Sequence, residues 1–592
     1  MKEQFLVTTA LEDTWPKNNQ PVLFLGEWCR LYSRKNLWEK MEAKVLPYHW
    51  DDRVKLYEDF NYLNDLFERL LIILSSELNK IHGVDHTIRY WRILIGPWLM
   101  RFLSMLYDRW LSVNAAISLF PISGTSVLDI DELNLIPQSM EEFSNSSKSE
   151  LWNHGIYSLI LKYLNLTSII TIKPSKEINN LLISTSSRSM GIMSHMKEMI
   201  STVSTFFLSN NSYFIITPYI SLVNKIKLQL KLNQIPVIYP NERFKNIAIN
   251  DEYRKWNLSN FECKNEFEKF AITIIPLQMP VLYLEGYKAA SEKIKNSRLP
   301  KKPKLIWTSN SFYMNDQFKL WAAEKVEEKV PLVIGQHGGN YGSAKFSTTE
   351  NHELKICDYY LSWGWKNNES KVIPVGIFMS PLKRKIKNFS TKKILFTILA
   401  THRYSGGISS MPVSSQWIQY MDDQIEFYGD LPSHILNDIN VRLYHDDSNW
   451  SQYDRLKDVF PESNIDEGKL DYNELLVNAR LAVHGWNSTT YLESMASDIP
   501  TVIFWKPKYF ELREEAREFF DKLKEVGIYH ETPLSASKHI KNIWNEEHAW
   551  WNLPDVVSAR NNFIEQYARP SNIVNRLNSI LRKIASDESS LK

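Results

Sequence analysis

The segment from Leu481 to Phe504 limits the possible folds of this chain more than any other. Leu481-Ala482-Val483 is an apolar run of strand length, Gly485 to Thr490 is a turn rich in small hydroxyl residues, and a helical stretch with Glu493 in its first turns follows. Thr501 to Phe504 is again apolar and strand-like. This is the pattern of a doubly wound α/β sheet, in which such a turn lies at the carboxyl edge. Hydroxyls and unpaired N–H groups at a helix N-terminus suit a phosphate there. Thr490-x-x-Glu493 also has the form of a capping box, which needs no ligand. The local pattern leaves both readings open.

At 592 residues the chain exceeds what one hydrophobic core holds and should divide into domains. A formal net charge of +2 provides no field for drawing the protein onto nucleic acid. Cys29, Cys263 and Cys357 lie far apart with no C-x-x-C, which argues against both a disulfide framework and a zinc site. The first residues run directly into a strand pattern, unlike a signal peptide, and no uninterrupted apolar stretch is long enough to span a bilayer. The expectation is a cytoplasmic protein. An aromatic share of 13%, with 20 Trp, mildly favours a sugar or nucleotide ligand.

Short strand candidates alternate with helical stretches. They are Phe5–Thr9, Val22–Leu25, Lys44–Tyr48, Ser168–Thr171, Tyr213–Thr217, Pro236–Tyr239, Leu305–Thr308, Leu332–Gln336 and Tyr359–Trp363. Long amphipathic patterns cover Asp52–Leu78 and His86–Leu111, the second broken near Gly96-Pro97. Ser144–Ser149 reads as a surface loop. The polar, basic stretch Pro381–Lys393 precedes a fresh strand, Ile394–Ala400, and marks the domain boundary. Its cations read as a solvated linker, with a peripheral contact to an anionic inner membrane as the alternative. Residues 1–385 are thus expected to form an N-terminal α/β domain with helical insertions. Residues 386–555 would form a Rossmann-like domain, and residues 556–592 a helix packing back toward the first.

Four strand-end loops carry candidate chemistry. Gly335-Gln336-His337-Gly338-Gly339 presents one imidazole among glycines, which let the backbone approach a ligand, and a histidine suits general-base work. Thr401-His402-Arg403 before Gly406-Gly407 suits a phosphate. Arg442 and His445 flank the end of another strand, and the turn Asn487–Thr490 is the fourth loop. P-loop, nucleophile-elbow and H-E-x-x-H signatures are absent, and Asp129-x-Asp131 reads as a surface pair, so no metal ligand set is expected.

Two α/β domains, a linker and phosphate-type loops in the second half resemble a two-domain GT-B glycosyltransferase. His86–Trp98, Gly335–Gly339, Arg442-Leu443-Tyr444, Thr489–Glu493 and Ala549-Trp550-Trp551 resemble, over nearly the whole chain, a transferase family first catalogued in spirochaetes and found in surface-polysaccharide clusters. More distantly, Gln336-His337-Gly338 is similar to a motif of capsule Kdo transferases. Arg442…His445 with Ser488, Thr489 and Thr490 is similar to the CMP-phosphate motifs of bacterial sialyltransferases, except that Asp446, not proline, follows His445. The resemblance implies two Rossmann-like domains facing across a cleft, the N-terminal one elaborated with extra helices. It implies a glycosyltransferase building O-antigen or capsule without metal or cofactor, with a nucleotide-sugar as co-substrate and a saccharide or lipid-linked saccharide as acceptor. Thr401, His402, Arg403, Arg442, His445, Ser488, Thr489, Thr490 and Glu493 would hold the donor. His337 would be the base, with Gln336, Gly338, Gly339, Arg89 and Arg92 toward the acceptor. A nucleotide-sugar 2-epimerase-like hydrolase and a non-catalytic subunit of a polysaccharide assembly complex are the alternatives.

Overall fold

Strands of two to seven residues pair side by side in parallel, and helices cover the sheets they form. The computed structural model describes residues 2–166, 168–178, 210–239, 244, 246–379, 381–382 and 393–589. The first sheet has the order β3-β2-β1-β4-β5, built from β1 (Gln4–Val7), β2 (Val22–Phe24), β3 (Ala43–Val45), β4 (Ile122–Leu128) and β5 (Ile169–Ile172). The second has the order β10-β9-β8-β7-β6, from β6 (Tyr213–Ile216), β7 (Leu305–Thr308), β8 (Leu332–Gly335), β9 (Tyr359–Ser362) and β10 (Val372–Pro374). The third contains β11 (Lys393–Thr397), β12 (Ile439–Arg442), β13 (Asn464–Asp466), β14 (Ala479–His484), β15 (Thr501–Phe504) and β16 (Tyr529–His530). Its order, β13-β12-β11-β14-β15-β16, is that of a Rossmann sheet, reversing between β11 and β14.

The expected α/β class with parallel sheets holds, and the N-terminal elaboration comprises a whole additional sheet as well as helices. The pattern had concealed β4, because Ser-Gly-Thr-Ser interrupts its apolar residues although it pairs with both β1 and β5. Pro236–Tyr239 is extended but joins no ladder. Val237 N donates to Gln229 Oε1 at 2.6 Å and the Tyr239 ring lies 4.0 Å from Phe214, so side chains hold the segment in place. Ser144–Ser149 is not a surface loop. Ser144 and Ser146 lie in the last turn of a helix, Ser149 caps the next, and Ser144 and Ser147 are buried. The basic linker lies largely outside the described residues.

The helix Arg53–His82 is started by Asp52, whose carboxylate accepts from Val54 N and Lys55 N, and stopped by Gly83 at φ 68°. Its neighbour Gly96–Leu119 begins with Pro97 in the first turn and is buried along most of its length. Twelve of the 20 tryptophans are fully buried, so the aromatic enrichment fills cores. Among the described residues no helix is long and apolar enough to cross a membrane. The chain closes with helices Pro554–Tyr567 and Ile573–Ser589, and the latter packs on the helix Leu222–Lys231 and on β7 of the second sheet.

Candidate functional site

The second and third sheets meet at their carboxyl edges. Beyond β8, Gln336 is fully buried, and its amide pins the loop by donating to Gly338 O at 2.8 Å. Its oxygen accepts from Trp363 N and Trp365 Nε1. Gln336 thus shapes the loop from beneath. Gly339 N donates to Thr489 Oγ1 at 3.1 Å, and a Cβ on Gly339 would stand 2.4 Å from the Ser488 carbonyl carbon. Only a glycine lets these two backbones approach so closely. Gly338 and Gly339 are therefore structural parts of the junction.

His337 projects beside this contact with a fifth of its side chain exposed, ringed by Tyr219, Phe312 and Tyr341. Burial lowers its pKa to about 4, with the Ser309 backbone acting in the opposite direction, so the imidazole is neutral at neutral pH. Its Nδ1 lies 3.4 Å from Glu353 Oε1. Glu353 is fully buried, accepts from the Tyr341 hydroxyl at 3.2 Å and the Tyr360 hydroxyl at 3.0 Å, and is pushed well above the usual carboxylate range by burial. The sequence pattern had not singled out Glu353, because its distance along the chain from His337 gives no sign that they meet.

Across the junction, the helix Thr489–Ala496 has Ser488 at its N-cap, yet the Ser488 hydroxyl accepts none of the first-turn N–H groups. The capping box does not form. Thr490 lies inside the helix with its hydroxyl buried and unpartnered, and Glu493 is pushed up to about 7 by burial. The turn itself is rigidly held. His484 bridges Thr397 Oγ1 at 2.7 Å and Ser494 Oγ at 3.1 Å, and Asn487 reaches Tyr491 and Ser343. Ser488, Thr489, Thr490 and Glu493 therefore surround a helix N-terminus free of side-chain caps at the switch point of a Rossmann sheet.

The other expected residues divide. Arg403 is buried, pairs with Glu150 and donates to Trp28 O at 2.6 Å, so its charge is used against the first sheet. Arg442 pairs with Asp466 and donates to Leu470 O at 2.9 Å, which neutralises it within the third sheet. Thr401 Oγ1 is buried without a partner, and His402 Nδ1 meets Ser448 Oγ at 3.2 Å. His445 is exposed, its ring 4.5 Å from Tyr444. The structure does not bring Arg89 and Arg92 to the cleft. Arg89 holds Ile356 O and Asp358, which precedes β9 at the sheet's opposite edge. Arg92 pairs with Glu68, whose carboxyl is held down at about 2 by Arg92 and Lys355 against the effect of burial. Among the described residues no cluster of three His, Cys, Asp or Glu could hold a metal ion.

The family model for the LIC12162 family transferase matches residues 4–579. The chain belongs to that family. No curated protein matches this transferase. Among solved structures it is similar to MurG of Acinetobacter baumannii at 13% identity, covering 63% of this chain and 91% of that one with a TM-score of 0.32. It is also similar to the wall teichoic acid polymerase TagF at 10% identity, covering 70% and 97% with a TM-score of 0.34. A third is WaaG, a glycosyltransferase involved in lipopolysaccharide biosynthesis, at 10% identity, covering 51% and 95% with a TM-score of 0.26.

Proposed function

We propose that this transferase is a metal-independent, inverting glycosyltransferase. It moves a sugar from a nucleotide-activated donor to a hydroxyl of a growing bacterial surface polysaccharide, O-antigen or capsule, at the cytoplasmic side of the inner membrane. The bond from Gly339 N to Thr489 Oγ1 at 3.1 Å carries this reading. It joins the imidazole loop of one sheet to the uncapped helix start of another, so that base and phosphate site share one cleft.

The first-turn N–H groups of the helix Thr489–Ala496, with the Ser488 and Thr489 hydroxyls, receive the donor phosphate and stabilise the charge that grows on it as the glycosidic bond breaks. Glu493, poised near neutrality at about 7, both donates to and accepts from ribose hydroxyls. Neutral His337 takes the proton of the attacking acceptor hydroxyl. The Glu353 carboxyl, already served by two tyrosine hydroxyls, faces the imidazolium that forms. Direct attack by an acceptor activated in this way inverts the anomeric centre.

Thermal-shift measurement against CMP-, UDP-, GDP- and dTDP-sugars tests the donor site, because a ligand of the native state stabilises it by mass action. One donor class should raise the Tm, and the absence of any shift would overturn the assignment.

A further inference from the structure

Six arginines are buried among the described residues. Five of them, Arg109, Arg254, Arg403, Arg480 and Arg560, pair with a carboxylate. Arg101, on the helix Gly96–Leu119, is 6% exposed and makes no ion pair among the described residues. Its Nη1 donates to Ser144 Oγ at 2.9 Å and to the Tyr313 hydroxyl at 3.1 Å, its Nη2 to Ser147 Oγ at 3.5 Å, and its Nε has no partner. Burying a guanidinium without a counter-ion is costly.

The group facing it is the loop after β11. A Cβ on Gly406 would stand 3.1 Å from Arg101 Nη2 and 3.3 Å from His402 Cδ2, whereas around Gly407 there is open space. Three bonds from the first sheet's side hold this loop rigid: Arg403 to Glu150, Tyr404 to Glu150, and Arg109 Nη1 to Ser405 O at 2.8 Å. Lys148 and Asp446, which act on His402 together with Arg101, pair with each other at 3.4 Å. Tyr313 packs against Phe312, whose ring lies 6.4 Å from His337.

We propose that Arg101 is the cation of a phosphate-binding subsite between the helix Gly96–Leu119 and the Gly406-Gly407 loop, with the hydroxyls of Ser147 and Tyr313 beside it. A guanidinium flanked by hydroxyl donors and a glycine backbone matches the several oxygens of a phosphate. The phosphate belongs either to the nucleotide donor or to the acceptor. The first source rests on the donor site proposed above, while the subsite itself does not.

Calorimetric titration of the full-length protein with inorganic pyrophosphate tests it. The wild type should bind, and Arg101→Met should bind at least about tenfold more weakly. The Tm of the ligand-free variant should be unchanged or raised, because an unpaired buried charge has gone. Arg101→Lys keeps the charge but loses the two-pronged geometry, and should weaken binding several-fold in an intact fold. Equal pyrophosphate affinity in the wild type and Arg101→Met, or no binding by the wild type, would overturn the subsite. If Arg101→Met weakens nucleotide-sugar binding in parallel, the phosphate is the donor's; if nucleotide-sugar binding is untouched, it is the acceptor's. If no nucleotide-sugar binds while the pyrophosphate difference persists, the donor reading fails and the subsite stands.

Discussion

His337 and Glu353 form a pair that neither residue could form alone. Removing the imidazole by His337→Ala should reduce kcat by about 10²–10⁴-fold while donor-induced thermal stabilisation survives, and full activity would sink the base assignment. Glu353→Gln keeps the volume and the tyrosine contacts but cannot ionise opposite an imidazolium, so kcat should fall with KM nearly unchanged. Because burial holds His337 at about 4, the acid limb of a kcat/KM profile should lie well below the free-histidine range. The sign for stability follows: the unfolded chain takes up a proton near pH 6.5 and the native site resists it, so stability falls as pH drops from there toward about 4. Glu493 works in the other direction. Its carboxyl resists ionisation until about pH 7, so native stability is eroded as pH rises from about 4.5 to 7. Glu493→Gln should therefore raise the Tm at pH 8 and leave it unchanged at pH 4, while weakening donor binding at both.

Among the elements, the loop after β8 and the helix after β14 depend on each other. Gly339→Ala would drive a Cβ into the Ser488–Thr489 backbone, at a cost of about 1–3 kcal/mol and with loss of transfer, measurable by denaturation and assay together. Thr489→Val removes the acceptor of Gly339 N and a phosphate-facing hydroxyl, so the dissociation constant of the donor should rise. An unchanged constant would mean that the helix start binds no phosphate. Most strands were legible because apolar runs such as Leu305–Thr308 and Thr501–Phe504 are short and bounded by turns. β4 was not, since the buried Gly124, Thr125 and Ser126 are small or polar, and neither were the two- and three-residue edge strands β10, β13 and β16. The capping box at Thr490 and Glu493 matched the pattern but not the register, because the helix starts one residue before Thr490.

At the scale of the whole molecule, the first sheet supports the loop after β11 of the third sheet. Just beyond β1, Glu150 accepts from Ala10 N at 2.9 Å, and Arg403 and Tyr404 reach the same carboxylate from the loop after β11. Arg403→Met leaves Glu150 without its cation and should destabilise the native state by about 3–5 kcal/mol in chemical denaturation.

The sequence by itself determined the parallel α/β class, the helix break at Gly96-Pro97 and the candidate loops at strand ends. These follow from short-range periodicity and from glycine and hydroxyl chemistry, which act within a few residues. Only the tertiary structure decided which cations are free. Arg403 and Arg442 are suited by residue type and position to hold a phosphate, yet each meets a carboxylate from elsewhere in the chain, while Arg101, unremarkable within its helix, meets none among the described residues. Charge pairing is settled by distance in space, and the partners here, such as Glu150 for Arg403, are brought together by the packing of separate sheets.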